Sequence, residues 1–204
     1  MKFHNIEHNN IQNGLGIRTV LWVSGCYHNC PECHNPITHD PDDGVDFDEA
    51  SMNELLDSLD NDYVSGLTLS GGDGLCFYPV DLLDVIKEVR KKFGDTKTIW
   101  LYTGFTLESL LSTINSNPND EISDVYGEIL RNIDVLCDGP YIAAQNSKDY
   151  HWVGSTNQRV INMKESIDKC KIVFLDEEQG KLCTKDNKNA SKLLIEFFNI
   201  KRLG

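Results

Sequence analysis

Cys26, Cys30 and Cys33 stand in the order Cys-x-x-x-Cys-x-x-Cys, directly after the apolar run Thr19-Val20-Leu21-Trp22-Val23. Thiolates at that spacing can take three irons of a four-iron cluster from one short loop, and the loop supplies no fourth. An iron without a protein ligand is an open coordination site, where a small molecule can bind and react. Structural zinc modules and pure electron carriers instead close their coordination with a fourth ligand. The spacing predicts a reaction centre, and a zinc-bound or iron–sulfur scaffold is the non-enzymatic alternative.

Three further polar elements follow apolar runs: Gly71-Gly72-Asp73, Tyr102-Thr103-Gly104 and Asp138-Gly139. A glycine pair brings bare backbone close to a ligand because no Cβ intervenes, and it could offer carbonyls to an ammonium group. Asp138 could accept hydrogen bonds from ribose hydroxyls, although Asp-Gly is also an ordinary turn.

The elements that must position these groups are legible as alternation. Strand-like runs at 17–23, 66–70, 98–103 and 133–137 alternate with helical periodicity, which predicts βα units and a parallel sheet. One helix starts near Asp46-Phe47-Asp48-Glu49 and carries Met52, Leu55, Leu56 and Leu59 on one face. Another opens at Pro79, where the missing N–H costs nothing, and buries Leu82, Ile86, Val89 and Phe93. Helices are also expected over 107–114, 125–130 and 190–200, and a strand or hairpin arm over 170–175. Ligands gather at the carboxyl ends of parallel strands, and all four polar elements fall at such ends, so one shared site is expected.

The 204 residues, 40% of them hydrophobic, can bury one substantial core. No stretch reaches the roughly 18–20 consecutive apolar residues that span a bilayer. The N-terminus lacks the apolar segment of a secretion signal, so a cytoplasmic protein with reduced thiols is expected. The net charge of −13 would repel a phosphate backbone, which argues against direct nucleic-acid binding.

Taken together, these residues resemble a known family. Val23-Ser24-Gly25 with the three cysteines resembles the cluster loop of radical S-adenosylmethionine enzymes. More narrowly, five stretches resemble the activating enzymes of anaerobic (class III) ribonucleotide reductase. They are Asn13-Gly14-Leu15-Gly16-Ile17-Arg18; Ser24 through Asn35; Leu67 through Asp73; Ile99-Trp100-Leu101-Tyr102-Thr103-Gly104-Phe105; and Val135 through Gly139 with Gly154-Ser155-Thr156-Asn157-Gln158-Arg159. The likeness covers residues 1–162 in the family's order. Leu15, Gly74, His34 and Val153 depart from its usual residues, and Val153 stands where an arginine would contact a carboxylate or phosphate.

The resemblance implies an α/β fold, a partial TIM-like barrel of mainly parallel strands over 1–162, with 163–204 as an extension packed on the same domain. It implies a 4Fe–4S cluster on Cys26, Cys30 and Cys33, with S-adenosylmethionine chelating the fourth iron. Gly71, Gly72 and Asp73 would hold the methionine ammonium, with Glu32 and His34 in the loop wall. Tyr102, Thr103 and Asp138 would face the adenosine end, and Asn157 would make a polar contact further out. One electron would cleave the sulfonium and give a 5′-deoxyadenosyl radical, which takes hydrogen from a glycine of the large reductase subunit. A one-electron donor such as flavodoxin is implied. Another glycyl-radical activase or a 7-carboxy-7-deazaguanine synthase would share the cysteines and the glycine pair.

The remaining cysteines read more plainly. Cys76 and Cys137 fit small buried hydrophobes, and Cys170 and Cys183 fall short of a metal set. His28, His39 and His151 fit surface or hydrogen-bonded roles, and Trp100 fits core packing.

Overall fold

The structure is a computed structural model, and it describes residues 1–148, 151–175 and 188–200. A hairpin of β1 (Lys2–Asn10) and β2 (Ile17–Val23) begins the chain, and β3 (Val45–Asp46) pairs with the outer side of β1. Strands β4 (Val64–Gly71), β5 (Thr98–Tyr102), β6 (Val135–Asp138) and β7 (Arg159–Asn162) complete a seven-stranded sheet in the order β3-β1-β2-β4-β5-β6-β7. The central four, β2, β4, β5 and β6, are mutually parallel; β1 and β7 run antiparallel to them, and β3 pairs antiparallel with β1. The architecture is thus mixed α/β around a mainly parallel sheet that does not close on itself.

Helices fill the crossovers that parallel strands require. They are α1 (Glu49–Leu59), the single turn α2 (Gly74–Phe77), α3 (Pro79–Phe93), α4 (Leu107–Ser116) and α5 (Glu121–Asn132), followed by α6 (Met163–Lys169) and α7 (Lys188–Ile200). The N-cap expected in 46–49 is Asp48, whose side chain accepts from Ser51 N–H. Pro79 opens α3, and Leu82, Ile86 and Val89 are buried.

Alternation along the strands sorts side chains between two apolar clusters. Ile99, Leu101, Leu136 and Ile161 face the helices and join the main core. Their neighbours Trp100, Val135, Cys137 and Val160 form a smaller cluster on the opposite face, with Tyr102 and Trp152 against it. That second face leads to the site.

Three strands lie outside the sequence expectations: β1, the two-residue β3, and β7. β1 pairs with register shifts between Phe3 and Asn5 and between Glu7 and Asn10, so its burial does not alternate cleanly. β7 has four residues and starts with an arginine, too short for a periodic signal. The expected arm over 170–175 does extend the β7 edge: Asn162 N–H donates to Val173 C=O at 2.8 Å and Leu175 N–H to Val160 C=O at 2.9 Å. The expected closing helix is α7, whose Leu194 and Phe197 enter the main core. Cys183 lies outside the described residues. Among those residues, no helix is long and apolar enough to cross a membrane.

Candidate iron–sulfur site

The cysteine loop leaves the carboxyl end of β2 and is tied down at its base. Gly25 N–H donates to Thr38 C=O at 2.8 Å and Cys26 N–H to His39 C=O at 3.0 Å, so the loop closes on itself. The turn after β4 locks onto it: Gly72 N–H reaches Val23 C=O at 2.7 Å and Asp73 N–H reaches Gly25 C=O at 2.8 Å. Only glycine fits at position 72, because a Cβ would stand 2.5 Å from Gly25 O and 2.7 Å from Thr38 O.

Each cysteine sulfur of the loop faces a backbone N–H. His28 N–H points to Cys26, Tyr141 N–H to Cys30, and Asn35 N–H to Cys33 at 3.4 Å. The Cys26 pKa is lowered to about 6, first by hydrogen bonding with Cys76, against the opposing effect of burial. Cys30 is shifted upward, chiefly by burial. The three sulfurs share one cavity of about 390 Å³, which Gly71, Gly72 and Asp73 also line. Three thiols on one cavity, each facing a donor that stabilises its anion, fit a cluster with three protein ligands.

Asp73 is the polar node of the cavity wall. Its Oδ1 accepts from Leu75 N–H at 3.1 Å, and its Oδ2 from His28 Nε2 at 2.9 Å, Thr103 Oγ1 at 2.8 Å and Gly104 N–H at 2.9 Å. This carboxylate therefore fastens three loops together. The backbone of Gly71 and Gly72 is left as the bare surface of that wall. The His28 pKa is raised, first by its hydrogen bond to Asp73. Gly104 must lack a side chain as well, since a Cβ there would lie 2.4 Å from the His28 ring.

Other expected residues divide between the cavity and the scaffold. Tyr102 and Thr103 line the cavity; the Tyr102 hydroxyl donates to Trp152 C=O at 2.8 Å. His34 lies on the rim, its ring 5.2 Å from that of Tyr141. Glu32 is exposed, takes a positive φ of 58°, and is not part of the cavity lining.

Two expectations are corrected. Asp138 ends β6 one residue beyond Cys137, and alternation turns it to the helix face. There it is fully buried. It accepts from Leu107 N–H at 2.7 Å and from Arg159 Nε at 2.8 Å, with a second, shorter contact to Arg159 Nη2. Arg159 also forks onto Glu108, at 2.9 and 2.6 Å. Asn157 is likewise engaged within its turn: Nδ2 donates to Pro140 C=O and Oδ1 accepts from Ser155 Oγ, each at 2.7 Å. Neither residue is part of the cavity lining.

Sequence reasoning missed Gln12, Asn13, Ser70, Trp152 and Gln158 as cavity residues. Ser70 carried a signal, since it sits two residues before Gly72 at a strand end; the others come from distant loops. Cys76, expected as a small buried hydrophobe, is half-buried, and its sulfur lies within 4.8 Å of the His28 and Asp73 ligand atoms.

The chain is similar to known proteins over most of its length. The family described as "4Fe-4S single cluster domain" matches residues 12–161. The anaerobic ribonucleoside-triphosphate reductase-activating protein of Escherichia coli K12 is 31% identical over 168 residues, 80% of this chain and 100% of its own length. That of phage T4 is 34% identical, covering 77% of this chain and 91% of its own. That of Haemophilus influenzae is 36% identical, covering 74% and 92%. The chain belongs to this activating-protein family. The family match takes in the cysteine loop, the glycine pair and the Arg159 knot, and the chain beyond β7 lies outside it.

Proposed function

We propose that this chain is a radical S-adenosylmethionine activase that installs a glycyl radical on the large subunit of an anaerobic ribonucleotide reductase. The observation that carries the reading is the cavity itself, where three N–H-supported cysteine sulfurs face the bare backbone of Gly71 and Gly72. Cys26, Cys30 and Cys33 would hold a 4Fe–4S cluster, and the Gly71–Gly72 carbonyls would receive the ammonium of S-adenosylmethionine. When bound, this pair supplies one-electron cleavage of a sulfonium C–S bond and, from it, hydrogen abstraction from a glycine Cα.

The chain's own residues hold the geometry. Asp73 clamps the His28 and Thr103–Gly104 segments around the cluster loop, so the wall is set before any ligand arrives. Tyr102 and Trp152, joined by a hydrogen bond, line the same cavity and would limit the water that reaches the reacting atoms. The open sheet reads as an incomplete βα barrel, a shape that leaves room for a glycine-bearing loop of a large partner. Residues 1–162 form the catalytic unit in this reading, and 163–204 an extension braced by α7 on the same core. The compartment is the cytoplasm, and the electron comes from a flavodoxin-like donor.

Anaerobic reconstitution tests this. The protein should bind about four irons with sulfide and no zinc, and convert S-adenosylmethionine to 5′-deoxyadenosine. Mixed with the reductase subunit, it should produce a glycyl radical signal in electron paramagnetic resonance. Full turnover by Cys30→Ala would end the reading. Turnover without a signal on the reductase would redirect it to another radical enzyme, a deazaguanine synthase among them.

A further inference from the structure

Arg18 is fully buried beside Trp100, on the face of the sheet that leads to the site, and does not itself line the cavity. Its hydrogen bonds all go to neutral acceptors. Nε donates to Thr68 Oγ1 at 3.1 Å, Nη1 to Thr98 Oγ1, and Nη2 to Thr98 C=O at 3.0 Å and to Leu67 C=O. A buried guanidinium is tolerated only where acceptors fill its donors, and lysine, with one nitrogen, cannot make this fork. Two chains of contact run from the fork to the cavity. The Thr68 hydroxyl, which accepts from Arg18, donates to Asn13 C=O at 2.7 Å, and Asn13 lines the cavity. Gly14 is pressed onto the same place: a Cβ there would stand 3.1 Å from Trp100 Cδ2 and 3.3 Å from Arg18 Nε. On the other side, the guanidinium lies 5.5 Å from the centre of the Trp100 ring. Trp100 meets Trp152 edge to face, with ring centres 5.3 Å apart, and Trp152 lines the cavity.

We infer that Arg18 is a positioning residue for the cavity: its fork, acting through Thr68 and Trp100, holds the Asn13 and Trp152 walls in place. Those walls come from the β1–β2 turn and from the segment before β7, which are far apart in the chain. Arg18 is the contact they share. The cysteine loop is tied down separately, by Thr38, His39 and the Asp73 turn. Loss of the fork should therefore loosen the two walls and leave the iron ligands where they are. A wall that touches the bound molecule before and during reaction acts on binding, so the loss should fall mainly on KM.

The effect on KM rests on the function proposed above, and the test separates the two. Wild type, Arg18→Lys, Thr68→Val and the double variant are reconstituted anaerobically, and iron is counted. Cleavage of S-adenosylmethionine gives kcat and KM, and amide hydrogen exchange is followed on the same proteins. Lysine keeps the charge without the fork; valine removes the relaying hydroxyl at nearly constant shape and leaves Trp100 alone. The expected result for Arg18→Lys is full iron loading, KM raised about tenfold and kcat changed less. Exchange should quicken at 11–16 and 151–154 and stay unchanged at 24–33. Thr68→Val should quicken 11–16 alone and raise KM by a smaller factor, and the double variant should be no worse than Arg18→Lys. Thr68→Val with the KM and exchange of wild type overturns the inference, and it decides alone if Arg18→Lys does not fold. Additive losses in the double variant, iron loss from either single variant, or exchange quickened across the whole sheet also overturn it. A wild type that does not cleave S-adenosylmethionine sinks the proposed function instead, while the exchange pattern still decides whether Arg18 holds the walls.

Discussion

Asp73 and Asp138 follow parallel strands on either side of β5, each beside a glycine, and the fold uses them in opposite ways. Asp73 lines the cavity and is held by N–H and O–H donors from Leu75, Thr103 and Gly104 together with His28. Asp138 lies on the helix face and is held by the Arg159 guanidinium, which also grips Glu108. One aspartate organises a site and the other staples the edge strand β7 to β6 and α4. The residue type and the strand end are shared; the face on which the side chain emerges is not. Position at a carboxyl strand end therefore does not by itself place a side chain in this site.

Breaking each node should expose the contrast. Arg159→Met leaves Asp138 and Glu108 without their cation in a buried setting, and should cost about 3–5 kcal/mol of stability in urea unfolding. A loss below about 1 kcal/mol would show that the knot does not hold β7. Asp73→Asn replaces a carboxylate acceptor by a group with one acceptor oxygen, and should cost about 1–3 kcal/mol. It should also depress cleavage of S-adenosylmethionine by folded protein, whereas Asp138→Asn, measured on its folded fraction, should leave cleavage near wild type. If Asp138→Asn instead abolished cleavage at full folding, the division between site and scaffold would fail. Thr103→Val removes one donor to Asp73 at nearly constant shape, with an expected cost of about 1 kcal/mol and unchanged iron loading. Iron loss from that variant would mean the Thr103 hydroxyl does more than brace Asp73.

Several elements were legible because their signals are local. The central strands β2, β4, β5 and β6 are short apolar runs, and α3 and α4 carry helical stripes with a proline start and a threonine cap. The cysteine loop is contiguous, so its spacing survives without any knowledge of the fold. β1 was illegible because its register shifts break the alternation, and β7 because four residues carry too little pattern. Asn157 and Asp138 look polar and available in the chain, yet each is engaged by residues from its turn or from a distant helix.

What the chain alone determined is the chemistry on offer: three thiols at fixed spacing, a glycine pair after a strand, and an alternation that demands a parallel sheet. These depend on neighbours a few residues apart, where covalent geometry limits the outcomes. Which aspartate meets the cavity and which is buried against Arg159 was decided only in three dimensions. Strand parity and loop-to-loop hydrogen bonds join residues tens of positions apart, and no local rule of spacing encodes where those partners come to rest.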